Sequence, residues 1–200
     1  MRKLNEMTET WKEDKIFEML NKDNLVIKAV KEIISKQTIP LSLILLTKPE
    51  NYRTTKKACV KQLLEKFDLI IVSLNSTYER FVKDSEIEKE VEKIKYIDMF
   101  SQKQCIEKNK VCLGSNTALS ECNDYIEKFV EQKKKSCVLV DSVTALLLYN
   151  DEKAVKKFIH YLSQKLLEKE ISCVLLGIQE KETENTCKIL NQFVKTIEKV

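Results

Sequence analysis

The stretch Thr47-Lys48-Pro49-Glu50-Asn51-Tyr52-Arg53-Thr54-Thr55 follows a dense apolar run and leads into a helical pattern. A strand, an eight-residue loop and a helix opening on a basic residue and two threonines is the layout of a phosphate loop. In such a loop, backbone amides and a cation hold the anion at a helix N-terminus. The chemistry here is incomplete. Arg53 stands where the loop's lysine belongs, Tyr52 stands where its second glycine belongs, and Pro49 removes an amide donor. Glycine is what lets the backbone bend and come close to phosphate. The chain has two glycines in 200 residues, Gly114 and Gly177, far apart and neither in this loop. Neither G-x-x-x-x-G-K-[ST] nor G-x-G-x-x-G is therefore present intact.

A second candidate is Asp141, which closes the apolar run Val138-Leu139-Val140. An aspartate at a strand end can hold magnesium beside a nucleotide, or it can simply order the following turn. Asp98 closes another short apolar stretch, and the two carboxylates could converge, although turn capping explains each separately. The single histidine, His160, falls with Lys156, Lys157 and Gln164 on the wet face of a helix, so no Ser/His/Asp or Cys/His constellation is legible. Seven cysteines, an odd number, show no C-x-x-C spacing, which gives a four-ligand zinc site little support. Cys137 and Cys173 lie in apolar runs, where a thiol behaves as a small hydrophobe.

Composition narrows the classes. The chain is 43% apolar and 33% charged with a net charge of +4, as expected of a folded Lys/Glu-rich protein. Arg2, Arg53 and Arg80 are the only arginines, which weighs against a dedicated nucleic-acid reader. Lys133-Lys134-Lys135 is the one dense basic run, and it suits a solvated helix end. The N-terminal residues include no apolar signal-like region, and no stretch reaches the length of a membrane span, so a reducing cytoplasmic location is expected. Trp11 and Phe17 could anchor a partner or pack the leading helices onto the body of the fold.

These residues must be positioned by alternating elements. Helical periodicity runs from about Thr10 to Lys36, with Asp23 or Asn24 able to cap a second helix. Pro40 precedes a strand, Leu41–Leu46. There follow a helix over Thr54–Phe67, a strand over Asp68–Leu74, a short helix over Thr77–Lys83, and a brief strand over Tyr96–Phe100. A helix over Thr117–Gln132 leads to a strand over Ser136–Val140, a helix over Asp151–Glu168, a strand over Ser172–Ile178, and a helix near Thr183–Gln192. The tail from Phe193 could supply a last strand. The strands are short and apolar on both sides, the mark of a sheet covered on both faces. We expect a three-layer αβα sandwich with a mainly parallel sheet in residues 39–200, preceded by a helical extension in 1–38. Ligands in such folds bind beyond the carboxyl ends of the strands.

Taken in order, PENYRTT, IIVSLNSTYERF, YIDMFS, LGSNTALSE and VLVDSVTALLLYNDEKAVKKFIHYL resemble the RecA/KaiC-like branch of P-loop ATPases, nearest to its degenerate archaeal KaiC-like members. The resemblance covers the chain from about Ile39 onward. It implies that Asp141 matches the strand-end magnesium aspartate and that Arg53-Thr54 sit where Lys-Thr would be. It also implies a pair of catalytic acids after the second strand, where this chain reads Leu74-Asn75-Ser76. Ser76 with Glu79 would there form a helix capping box.

The expectation is a catalytically inactive KaiC/RecA-like domain, without a cofactor, that acts as a regulatory or scaffolding module through a protein partner or self-association. An alternative is atypical binding of ATP with magnesium at Arg53, Thr54 and Asp141. A third is a recombinase-like association with DNA, which the scarcity of arginine disfavours.

Overall fold

Five of the strand ranges expected from apolar runs take their places side by side in one parallel sheet. The structure is a computed structural model that describes residues 21–132 and 135–200. Trp11, Phe17 and the lysines at 133 and 134 lie outside the described residues. The strands are β1 (Ser42–Thr47), β2 (Asp68–Ser73), β3 (Ile94–Asp98), β4 (Gln104–Ile106), β5 (Lys110–Leu113), β6 (Ser136–Asp141), β7 (Ser172–Ile178) and β8 (Thr196–Lys199). Their order is β4-β5-β3-β2-β6-β7-β1-β8. Every pairing is parallel except that of β4 with β5.

Helices cover both faces. Residues 21–36 form α1, followed by α2 (Tyr52–Leu64), α3 (Tyr78–Ser85), α4 (Leu119–Glu131), α5 (Val143–Tyr149), α6 (Glu152–Glu168) and α7 (Lys181–Leu190). Alternation along each strand divides the core. Leu43, Leu45, Leu69, Ile71 and Leu139 pack with Val30 of α1, Leu63 of α2 and Phe81 of α3. Ile44, Ile70, Val72, Val138 and Leu175 pack with Phe129 of α4, Ile159 of α6 and Leu190 of α7. The result is the three-layer αβα sandwich with a mainly parallel sheet.

Several boundaries move for physical reasons. Helix α2 begins at Tyr52 rather than Thr54, because a 3-10 turn at Pro49–Asn51 leads straight into it. Neither Asp23 nor Asn24 caps a second helix; both lie within α1. Thr77, not Ser76, caps α3 by accepting from the Arg80 N–H at 3.4 Å, and Glu79 turns outward to Lys110 at 2.8 Å. The β4–β5 hairpin and α5 are additional to the elements expected from the apolar periodicity. Cys105 on β4 and Cys112 on β5 are joined in a disulfide, a pairing that their spacing did not suggest.

Four strands end on a buried polar residue: Thr47 on β1, Ser73 on β2, Asp98 on β3 and Asp141 on β6. Each is two positions beyond a residue that faces α1–α3, so all four side chains point to the α2 side of the sheet. Register puts Ser73 opposite both Asp98 and Asp141, so the two carboxylates share one row with a serine between them.

Candidate functional site

The connection from β1 to α2 decides what can happen beside Asp141. Lys48 is extended, and the 3-10 turn then uses two of the loop's amides. The Asn51 N–H bonds the Lys48 carbonyl at 3.0 Å, and the Tyr52 N–H bonds the Pro49 carbonyl. Thr47 and Thr55 exchange a buried hydroxyl contact at 2.8 Å, tying the strand end to the helix. Two of the loop's amides are thus bonded within the turn, and the first turn of α2 sits directly on the strand ends.

Because the helix has already begun at Tyr52, the phases of the next residues are set. Tyr52 and Lys56 are one turn apart on the inward face, in line with Cys59 and Leu63. Both reach Asp141, whose side chain is fully buried. The Tyr52 hydroxyl donates to Asp141 Oδ1 and the Lys56 ammonium lies 3.3 Å from Oδ2. Asn75 donates through Nδ2 to Oδ1 at 3.1 Å and to Ser142 Oγ at 3.4 Å. The Lys56 side chain is only 11% exposed, with its ammonium 5.8 Å from the centre of the Tyr52 ring and 5.6 Å from that of Phe81. Burial, and then the Asp141 charge, push the Tyr52 phenol well above its ordinary range, so it remains a proton donor. The same two causes raise the neighbouring Cys59 thiol to about 12.

The residues expected to share this crevice are not brought together. Arg53 points outward, 78% exposed, and pairs with Asp84 at 3.2 Å. Thr54 donates to Asp23 of α1 at 2.7 Å. Both therefore belong to the outer groove between α1, α2 and α3, while Asp141 lies beneath α2. Asp98 shares the row of Asp141 but is spent on its own turn, accepting from the Phe100 and Ser101 amides at 2.9 and 2.7 Å and from the Ser101 hydroxyl at 2.7 Å. Ser76 is buried against Ser73 and the Tyr96 hydroxyl rather than serving a capping box. His160 is exposed, with its ring 4.2 Å from that of Phe193.

Lys56 is the residue that sequence reasoning missed. Its signal was its phase: a lysine in the inward stripe of a helix needs an acidic partner beneath it. Beyond the Tyr52 ring a crevice of about 560 Å³ opens at the strand ends, lined by Asn75, Thr144, Leu147, Leu148, Ile178 and Thr183. Its charged lining residues are Glu180 and Glu182, with no cation among them. No described helix is long and apolar enough to cross a membrane.

Comparison with known proteins agrees with this architecture. A KaiC-like protein of the hyperthermophilic archaeon Pyrococcus horikoshii superposes with a TM-score of 0.59 over 80% of this chain and 70% of its own, at 12% identity. No curated protein matches the chain. The family model of the KaiC ATPase matches residues 48–196, a span that begins at the turn before α2 and ends in β8. That span is about three-quarters of the sequence, and the chain belongs to the KaiC ATPase family.

Proposed function

We propose that this KaiC-family domain does not turn over nucleotide and works as a regulatory or scaffolding module through protein contacts. One observation carries the reading: both oxygens of the Asp141 carboxylate are already occupied. Tyr52 and Asn75 donate to one oxygen, and the Lys56 ammonium holds the other. A magnesium ion would have to displace a buried cation from this carboxylate, against the combined charge of ion and lysine. The residues present therefore do not fit magnesium with a nucleoside triphosphate. The Asn51 and Tyr52 amides are bonded within the preceding turn, and the charged residues lining the crevice beyond are carboxylates. Phosphoryl transfer depends on donors and charges set in advance and free to meet the nucleotide, whereas Lys56, Tyr52 and Asn75 are already engaged by Asp141.

Thermal unfolding with millimolar ATP, with and without magnesium, tests the reading. A ligand present at a hundred times its Kd adds about 2.7 kcal/mol, or roughly 5–10 °C in a chain this size. We expect no shift and no released phosphate. A magnesium-dependent rise would overturn the reading in favour of atypical ATP binding.

Apolar side chains at the strand ends favour contact with protein. Leu148 is 75% exposed beside the half-buried Leu147, and Tyr149 is 40% exposed. Sedimentation at rising concentration should reveal self-association that Leu148→Glu abolishes. A wild-type chain that stays monomeric, or a variant that associates equally, removes this face as the contact.

A further inference from the structure

The seven cysteines fall into two chemical groups. Cys59, Cys122, Cys137, Cys173 and Cys187 are free thiols, all buried. Burial raises each of them, Cys59, Cys173 and Cys187 to about 12, which keeps them protonated and unreactive. Cys105 and Cys112 differ in being bonded to each other, with Cys112 buried and Cys105 at the surface. They lie directly opposite each other on β4 and β5, with Cα atoms 4.7 Å apart, at the rim of the sheet, and Cys105 is partly exposed. That separation is within the range a disulfide spans without backbone movement.

Little else holds β4 in place. It is three residues long, and among the described residues it pairs only with β5 and forms the edge of the sheet. Gln104 is exposed and Ile106 is 77% exposed, so neither buries enough surface to secure the strand. In contrast, β5 is fixed independently. Its Lys110 reaches Glu79 of α3 at 2.8 Å, Val111 and Leu113 enter the core, and its other side pairs with β3. Lys95 of β3 also holds the hairpin turn through the Lys108 carbonyl at 2.7 Å.

We propose that Cys105 and Cys112 are a reversible thiol–disulfide site, exchanging with low-molecular-weight disulfides, whose reduction releases β4 and uncovers the edge of β5. In the oxidising direction the Cys105 thiolate attacks one sulfur of the small disulfide and expels one thiolate. The Cys112 thiolate then attacks the Cys105 sulfur of the mixed disulfide and expels the second small thiol. Two electrons pass from the cysteine pair to the small disulfide, and the two cysteine protons end on the released thiols. Uncovering β5 exposes a row of backbone donors and acceptors able to accept an added strand.

The test uses the full chain in buffers of graded glutathione to glutathione disulfide ratio, followed by native alkylation, peptide mapping and amide exchange. In reducing buffer two thiols, Cys105 and Cys112, should be alkylated while the other five are not. In oxidising buffer the two peptides should be linked, and the change should reverse with the ratio. Amide exchange at 104–106 should be at least about tenfold faster in the reduced form, with 94–98 unchanged. The Cys105→Ser/Cys112→Ser double variant should match the reduced form in every buffer. Failure to form the linkage at any ratio would overturn the proposal. So would exchange at 104–106 that is equal in both forms, or that still follows the ratio in the double variant.

Discussion

Replacing Lys56 with methionine should destabilise the fold by about 3 kcal/mol at neutral pH, the low end for breaking a buried ion pair. In a chain of this length that lowers Tm by roughly 6–12 °C. The low end applies because Asp141 keeps two donors, Tyr52 and Asn75, after the cation has gone. Methionine fills nearly the same space between the Tyr52 and Phe81 rings, so the loss is electrostatic rather than a packing defect. Asp141→Leu should cost as much or more, since it strands the lysine in an environment only 11% exposed. The pair of changes together removes both charges, and the double variant should be more stable than either single one. Chemical denaturation of the four proteins in a double-mutant cycle measures the coupling, expected to be about 2 kcal/mol or more. Costs that add to within about 0.5 kcal/mol would mean that Lys56 does not neutralise Asp141, and the case for a plugged strand-end carboxylate would fall with it.

The ease with which parts of this molecule are read from sequence follows from how much of each signal is local. The strands at 42–47, 68–73, 136–141 and 172–178 announce themselves as apolar on both sides because helices cover both faces. The β4–β5 hairpin gave no such signal. Its strands carry Gln104, Ile106 and Lys110 at the sheet rim, and its turn is Lys108-Asn109 amid charged neighbours. Helix α5 was hidden for the opposite reason. Val143-Thr144-Ala145-Leu146-Leu147-Leu148-Tyr149 is nearly all apolar, so no period shows, and only Ser142, accepting from the Ala145 N–H at 3.2 Å, marks its start.

At the site, Asp141 could be found because a carboxylate closing an apolar strand is conspicuous. Its partners could not be found, because they depend on the phase of α2. Had the connection been an open loop, Arg53 would sit at the helix tip facing the strand ends. A 3-10 turn over Pro49–Asn51 starts the helix early, and each residue then advances about 100° around its axis. That advance sends Arg53 outward to Asp84 and turns Lys56 inward to Asp141. A shift of a residue or two in where a helix begins therefore exchanged one cation for another at the centre of the site.

The buried thiols should make the chain sensitive to alkali, and this is the second large effect expected. Cys59, Cys122, Cys137, Cys173 and Cys187 are all held above the ordinary thiol range, with burial the leading cause each time. Below that range both folded and unfolded chains keep the proton, and the thiols have no effect on the balance. As pH rises through the unfolded value, near 8.5–9, the unfolded chain loses protons that the folded chain retains, so stability falls. Each thiol contributes about 1.4 kcal/mol per pH unit, and the five together about 7 kcal/mol per unit until the folded values are reached. A domain with a total stability of about 5–15 kcal/mol cannot absorb that for long. Tyr52 and Tyr96, both raised chiefly by burial, add to the slope from about pH 10 upward. Circular dichroism across an alkaline titration should show cooperative unfolding centred at about pH 10. Cys137→Ala with Cys173→Ala should lower stability at pH 7 through lost packing, yet move the alkaline midpoint upward by removing two titrating groups from the balance. These opposite signs separate linkage from simple destabilisation. A midpoint that falls together with the neutral stability would show that thiol ionisation does not drive the transition.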